Sequence, residues 1–110
     1  MKSIKLGKLK LYPVLEKYST NQYFALSLFE KSGEPYLTLS TNLSDLRQEG
    51  NKIFIKEDNS TFSEITQELL NQGFLTDENI ISFSGYNTYK LYQINQSLII
   101  LASENKEYFF

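Results

Sequence analysis

Two adjacent acidic pairs, Glu57-Asp58 and Asp77-Glu78, are the residues best suited by type to chemistry. Paired carboxylates can act as general acid and base or hold a divalent cation. Neither pair has the spacing of a calcium loop, and both fall beside strand or helix ends, where solvated loop charge is the simpler reading. The rest of the composition closes most catalytic routes. With no Cys and no His in 110 residues, the chain cannot build a Cys-type zinc site, a His-ligated haem, or a Ser-His-Asp or Cys-His nucleophile. No glycine-rich dinucleotide or phosphate loop is present, and Ser84-Gly85 has no accompanying base. The sequence therefore points away from an enzyme and implies no metal or cofactor.

Tyrosines supply the alternative chemistry, that of contact. The stretch Ser84-Gly85-Tyr86-Asn87-Thr88-Tyr89-Lys90-Leu91-Tyr92 sets three of them around a glycine turn. Tyrosine offers large area with a polar tip and little rotamer entropy, the profile of interface anchors. The plainer reading is a turn whose tyrosines pack across two strands. In a strand Tyr89 and Leu91 share a face and Tyr92 lies opposite with Lys90, so the three rings cannot form one patch. Tyr86 and Asn87, on a loop between strands, are the expected exposed pair. The candidate partner-binding residues are Tyr86, Asn87, Thr88, Tyr89 and, in a second turn motif, Tyr36.

Charge gives a third option. The net charge is -2, yet residues 1–56 carry +4 and residues 57–110 carry -6. Lys2, Lys5, Lys8 and Lys10 open the chain as a basic cluster. Combined with aromatic stacking on a sheet they could bind nucleic acid, although four lysines are few for that task. A solvated strand face is the simpler reading of them.

The elements that must position these residues follow mainly a period of two. Residues 22–30 place Phe24, Leu26 and Leu28 opposite Tyr23, Ala25, Ser27 and Phe29; a Gly33-containing turn follows, then a second alternation over 36–42. That predicts a hairpin. Residues 3–11 predict a lysine-protected edge strand ended by Pro13, and residues 53–55, 80–84, 89–94 and 97–101 predict further strands. One helix is expected from Thr61-Phe62-Ser63-Glu64, a capping box, through the stripe Phe62, Ile65, Thr66, Leu69 and Leu70 to Gly73. The expected fold is a single α+β domain over 1–110: a mostly antiparallel sheet of five to seven strands with one main helix packed on one face. Phe24, Leu26, Leu28, Leu37, Leu39, Ile65, Leu69 and Leu91 are expected to share its core. No secretory signal opens the sequence, and its longest apolar run, Leu98 to Ala102, is too short to cross a bilayer. The cytoplasm is the expected location, with no membrane partner.

Two motifs carry a family resemblance. Gly33-Glu34-Pro35-Tyr36-Leu37-Thr38-Leu39-Ser40-Thr41-Asn42-Leu43 and Ser84-Gly85-Tyr86, each with its following strand, resemble a domain-of-unknown-function family numbered 4313, met on plasmids, conjugative transposons and phages of Gram-positive bacteria. The resemblance covers roughly residues 18–94. Lys90 stands where the family has proline after tyrosine, the Asn pair expected near Asp58-Asn59 is partly present, and residues 95–110 lie outside the pattern. The resemblance implies a mobile-element context and no reaction. With the tyrosines beside a loop, it leads to the expectation of a small accessory protein that binds and sterically inhibits a host protein. The specific version is a bacterial defence complex such as a CRISPR nuclease or a restriction system, an anti-CRISPR or anti-restriction role. A nucleic-acid-binding module is the alternative.

Overall fold

The computed structural model describes residues 3–43 and 51–110; Lys2 and Arg47 lie outside them. The fold is α+β. The described residues form two antiparallel four-stranded sheets and two helices rather than one larger sheet with one main helix.

The first sheet has the order β1-β2-β3-β4, from β1 (Ile4–Leu6), β2 (Leu9–Lys17), β3 (Phe24–Phe29) and β4 (Pro35–Thr38). The expected edge strand over 3–11 is a hairpin turning at Gly7 (φ 62°), and Pro13 lies inside β2 instead of ending it. Among the described residues β1 pairs with β2 as far as Ile4↔Leu11. The Pro13 carbonyl accepts from Asn105 Nδ2 at 2.9 Å. A strand residue directs its N–H and C=O to the same side, so the missing proline donor faces away from β3 and that pairing is unharmed.

The second sheet has the order β5-β6-β8-β7, from β5 (Ser40–Thr41), β6 (Lys52–Lys56), β7 (Leu75–Ser84) and β8 (Asn87–Ile94). The chain passes from one sheet to the other at Leu39, which is fully buried and donates its N–H to the Leu26 carbonyl at 2.8 Å. Ser40 Oγ then accepts the Leu26 N–H at 2.9 Å. A single register joins the two sheets without leaving these polar groups unpaired.

Helix α1 (Ser60–Asn71) precedes β7. Its N-cap is Asn59, whose side chain accepts the Phe62 N–H at 3.1 Å, so the expected Thr61 box is displaced by two residues. At the other end Gly73 (φ 75°) lets its own N–H reach the Leu70 carbonyl and the Phe74 N–H reach that of Leu69, a Schellman end. Ile65 and Leu69 are fully buried, on the stripe as expected.

Residues 97–101, expected as a strand, belong instead to helix α2 (Gln96–Phe109). Five consecutive apolar residues fit either element, and the deciding period lies further on: Leu98, Leu101, Ala102 and Asn105 are buried while Ile100, Ser103 and Glu104 are exposed. α2 packs on β2. Phe109 lies edge-on to Tyr12 (5.9 Å) and stacked on Phe29 (5.3 Å), two residues directly opposite each other on β2 and β3.

The main core holds Leu26, Leu28, Leu39, Ile65 and Leu69, with Phe24 and Leu37 packed against it. Leu91 is the exception. It joins Leu43, Phe54 and Tyr89 in a separate cluster. Phe54 pairs with Leu91 and so shares its face, while Ile53 and Tyr92, on the opposite face, belong to the main core. Both faces of the second sheet therefore carry buried apolar residues. No helix among the described residues is long and apolar enough to cross a membrane.

Candidate contact surface on the second sheet

The tyrosine motif forms the hairpin of β7 and β8. Ser84 pairs with Asn87, leaving Gly85 and Tyr86 as a two-residue turn. Gly85 has φ 62° and Tyr86 a negative φ, the sign pattern of a type II′ turn, whose twist matches that of the flanking strands. The expected recognition loop from Ser84 to Tyr89 is thus shorter than its sequence suggests, since Asn87 already opens β8.

That register sorts the candidate residues. Tyr86 stands wholly in solvent at 105% relative exposure. Asn87 and Thr88 are half-buried strand residues, and the Thr88 carbonyl is engaged by the Glu57 N–H at 2.9 Å. Tyr89 is buried against Phe54 and Leu91, which removes it from any contact surface. Tyr36 is exposed on β4 in the other sheet and shares no element with Tyr86.

What the sequence reading missed is the run leading to the turn. Three apolar residues of β7 are exposed, Ile80 (47%), Ile81 (55%) and Phe83 (74%). An alternating apolar run ordinarily marks a half-buried strand. Here β7 is the edge of its sheet, a fact set by pairing and invisible in local sequence.

A bulge precedes this run. Asp77 is opposite Tyr92 and Ile80 opposite Leu91, so Glu78 and Asn79 are extra on β7. Asn79 takes φ 58°, a region Asn tolerates. Asp77 Oδ1 accepts the Asn79 N–H at 2.8 Å, and its Oδ2 accepts from Lys90 Nζ at 2.7 Å. The Lys90 bond, then the Asn79 N–H, holds the Asp77 carboxyl below its ordinary pKa. The same bond holds Lys90 above its own, while burial pushes the Tyr92 hydroxyl up. Lys52 meets Glu78 across the sheet at 3.5 Å.

Of the two acidic pairs, one member of each, Glu57 and Asp77, lines a cleft of about 240 Å³ between α1 and the sheet, together with Thr66, Lys90 and Tyr92. Asp58 is exposed and Glu78 faces Lys52. Asp77 is committed as an anion to Lys90 and the bulge, a structural duty. Among the described residues no three acidic groups converge to hold a metal ion.

Lys5 and Lys10 are directly opposed on β1 and β2, with Lys8 in the turn between them, all exposed. No carboxylate lies within ion-pair distance of them among the described residues. On the sheet face that carries Lys5 and Lys10, the aromatic pair Tyr12 and Phe29 is buried, with Phe109 against both rings. The exposed rings beside that cluster are those of Tyr108 and Phe110 at the end of α2, against Phe109 and Phe29.

No family model, curated protein or solved structure matches this chain.

Proposed function

We propose that the chain is a non-catalytic protein-binding module whose contact surface is the β7–β8 turn and the strand leading to it, anchored by Tyr86. The observation that carries this reading is a fully exposed aromatic ring on a two-residue turn, with β8 running from it into the buried Tyr89, Leu91 and Tyr92. The two-residue turn fixes where the side chain leaves the backbone, so on binding only its own rotamers remain to be ordered. Phe83 extends the apolar area beside it.

In its specific form, the chain is a cytoplasmic accessory protein of a phage or other mobile element. It acts by covering the site where a host defence nuclease, CRISPR or restriction, meets nucleic acid. That partner class rests on the motif resemblance. A steric mechanism suits the chain better than nucleic-acid mimicry, because a net charge of -2 falls far short of the dense negative charge that mimicry requires.

The alternative, nucleic-acid binding through Lys2, Lys5, Lys8 and Lys10, draws support from the opposed Lys5 and Lys10, a like-charge pair that costs stability unless an anion meets it. A gel-shift titration at low salt separates the readings. Retardation that fades steeply with salt supports the lysine surface; none at high micromolar protein leaves the hairpin reading.

A further inference from the structure

Edge strands carry unpaired backbone donors and acceptors, and proteins commonly blunt them with charge, proline or shortness. The edges of the first sheet follow that pattern. β1 has three residues and carries Lys5, and β4 has four and begins with Pro35. At one end of the second sheet β5 has only two residues. β7, at the other end, has ten, and from Asn79 to Tyr86 it and its turn contain neither charge nor proline. An edge left this open, with Ile81 and Phe83 exposed along it, is suited to pair with another strand.

The turn fixes which groups are available. A two-residue hairpin closes on a hydrogen-bonded pair, here Ser84 with Asn87. By alternation Ser82 and Ile80 also bond to β8, while the N–H and C=O of Phe83 and Ile81 point away from it. Among the described residues none of these outward groups has a backbone partner.

We propose that the chain self-associates by antiparallel pairing of β7 with β7 of a second copy, about a two-fold axis at Ser82. The strand is its own complement in this register. Ile81 meets Phe83 of the second copy, twice by symmetry, and each such pair exchanges two backbone hydrogen bonds through the outward groups. The apolar side chains fall opposite each other on one face, the favourable cross-strand arrangement. The paired segment, Ile80 to Ser84, carries no charge, and Glu78 lies beyond the bulge, so no like charges meet. The result is one continuous eight-stranded sheet of order β5-β6-β8-β7-β7-β8-β6-β5, an isologous dimer. An edge contact of this length is small against the ~1,200 Å² of stable complexes, so the dimer belongs in the micromolar range. Pairing uses the strand edge and leaves both Tyr86 turns accessible, one at each end of the paired strands.

Sedimentation velocity over about 5 to 500 μM protein, with amide exchange at both ends of the range, tests the proposal through mass action. The expected result is a monomer–dimer equilibrium in which the Ile81 and Phe83 amides gain protection with concentration, while those of Ser82 and Ser84 are protected throughout. Phe83→Lys, at a solvent-facing position, should keep the fold and weaken association by about tenfold or more. Mixing Ile81→Glu with Phe83→Lys chains should restore it, because the register puts the new charges opposite each other. A monomer at every concentration overturns the proposal, even one that still binds a host protein through Tyr86. So does a dimer indifferent to Phe83→Lys, or protection of Ile81 and Phe83 that arises only when an extended segment of another protein is added.

Discussion

Asn105 Nδ2 donates to the Pro13 carbonyl at 2.9 Å, a buried bond that ties α2 to β2. One side chain thus meets a strand acceptor that faces away from β3. Asn105 is fully buried, so Asn105→Ala removes a donor and leaves both a void and an unpaired carbonyl. The expected loss is about 1–3 kcal/mol, seen as a lower denaturant midpoint with unchanged slope.

Leu69 has no solvent exposure and lies on the inner face of α1. Leu69→Ala should cost about 2–5 kcal/mol. An unchanged denaturation midpoint would mean that α1 is not docked as described.

Thr66 Oγ1 is buried with no hydrogen-bond partner among the described residues. Thr66→Val keeps the shape and removes the stranded hydroxyl, so it should stabilise the protein, by about 1 kcal/mol if the hydroxyl carries the usual burial cost. Thermal unfolding of the two proteins side by side gives the sign.

The Asp77–Lys90 pair has a defined pH window. Asp77 is held below its ordinary pKa, so its contribution is complete above the carboxylate value of about 3.9 and is lost as pH falls through the lower folded value. Lys90 is held above its ordinary pKa, so its share is complete below about 10.4 and is lost as pH rises through the raised value. Asp77→Asn retains an acceptor for the Asn79 N–H but removes the charge. Both side chains are roughly a quarter exposed, which limits the expected loss to about 1 kcal/mol or less near neutrality. Urea titrations across pH should show the gap between the two proteins constant near neutrality and closing at both extremes.

How far local sequence reaches is clear from particular elements. α1 was legible because its stripe and its Gly73 end are local signals, and even there the cap moved from Thr61 to Asn59. The hairpin of β3 and β4 was legible from alternation around Gly33. α2 was not, because Leu98 to Ala102 satisfies both periods until Asn105 and Phe109 are included. Nor was the split into two sheets, which depends on the switch at Leu39 and on hydrogen bonds to Leu26. In the contact surface, Gly85 marked the turn and Tyr86 its exposed ring. The burial of Tyr89 beside Phe54 and the exposure of Phe83 both follow from strand order, which no window of residues around them encodes.

The contact role of the hairpin is tested most directly by paired affinity purification. Wild-type chain and the double variant Tyr86→Ala, Asn87→Ala are used as bait in a defence-proficient host, and retained proteins are quantified by mass spectrometry. The double variant should unfold within about 0.5 kcal/mol of wild type, as surface changes usually do. The expected result is a stoichiometric host protein on wild type, depleted on the variant by an amount matching a loss of about 2 kcal/mol or more, as for an interface anchor. Retention of that protein undiminished by the variant, or no stoichiometric protein on wild type at all, would contradict the proposed role of the turn.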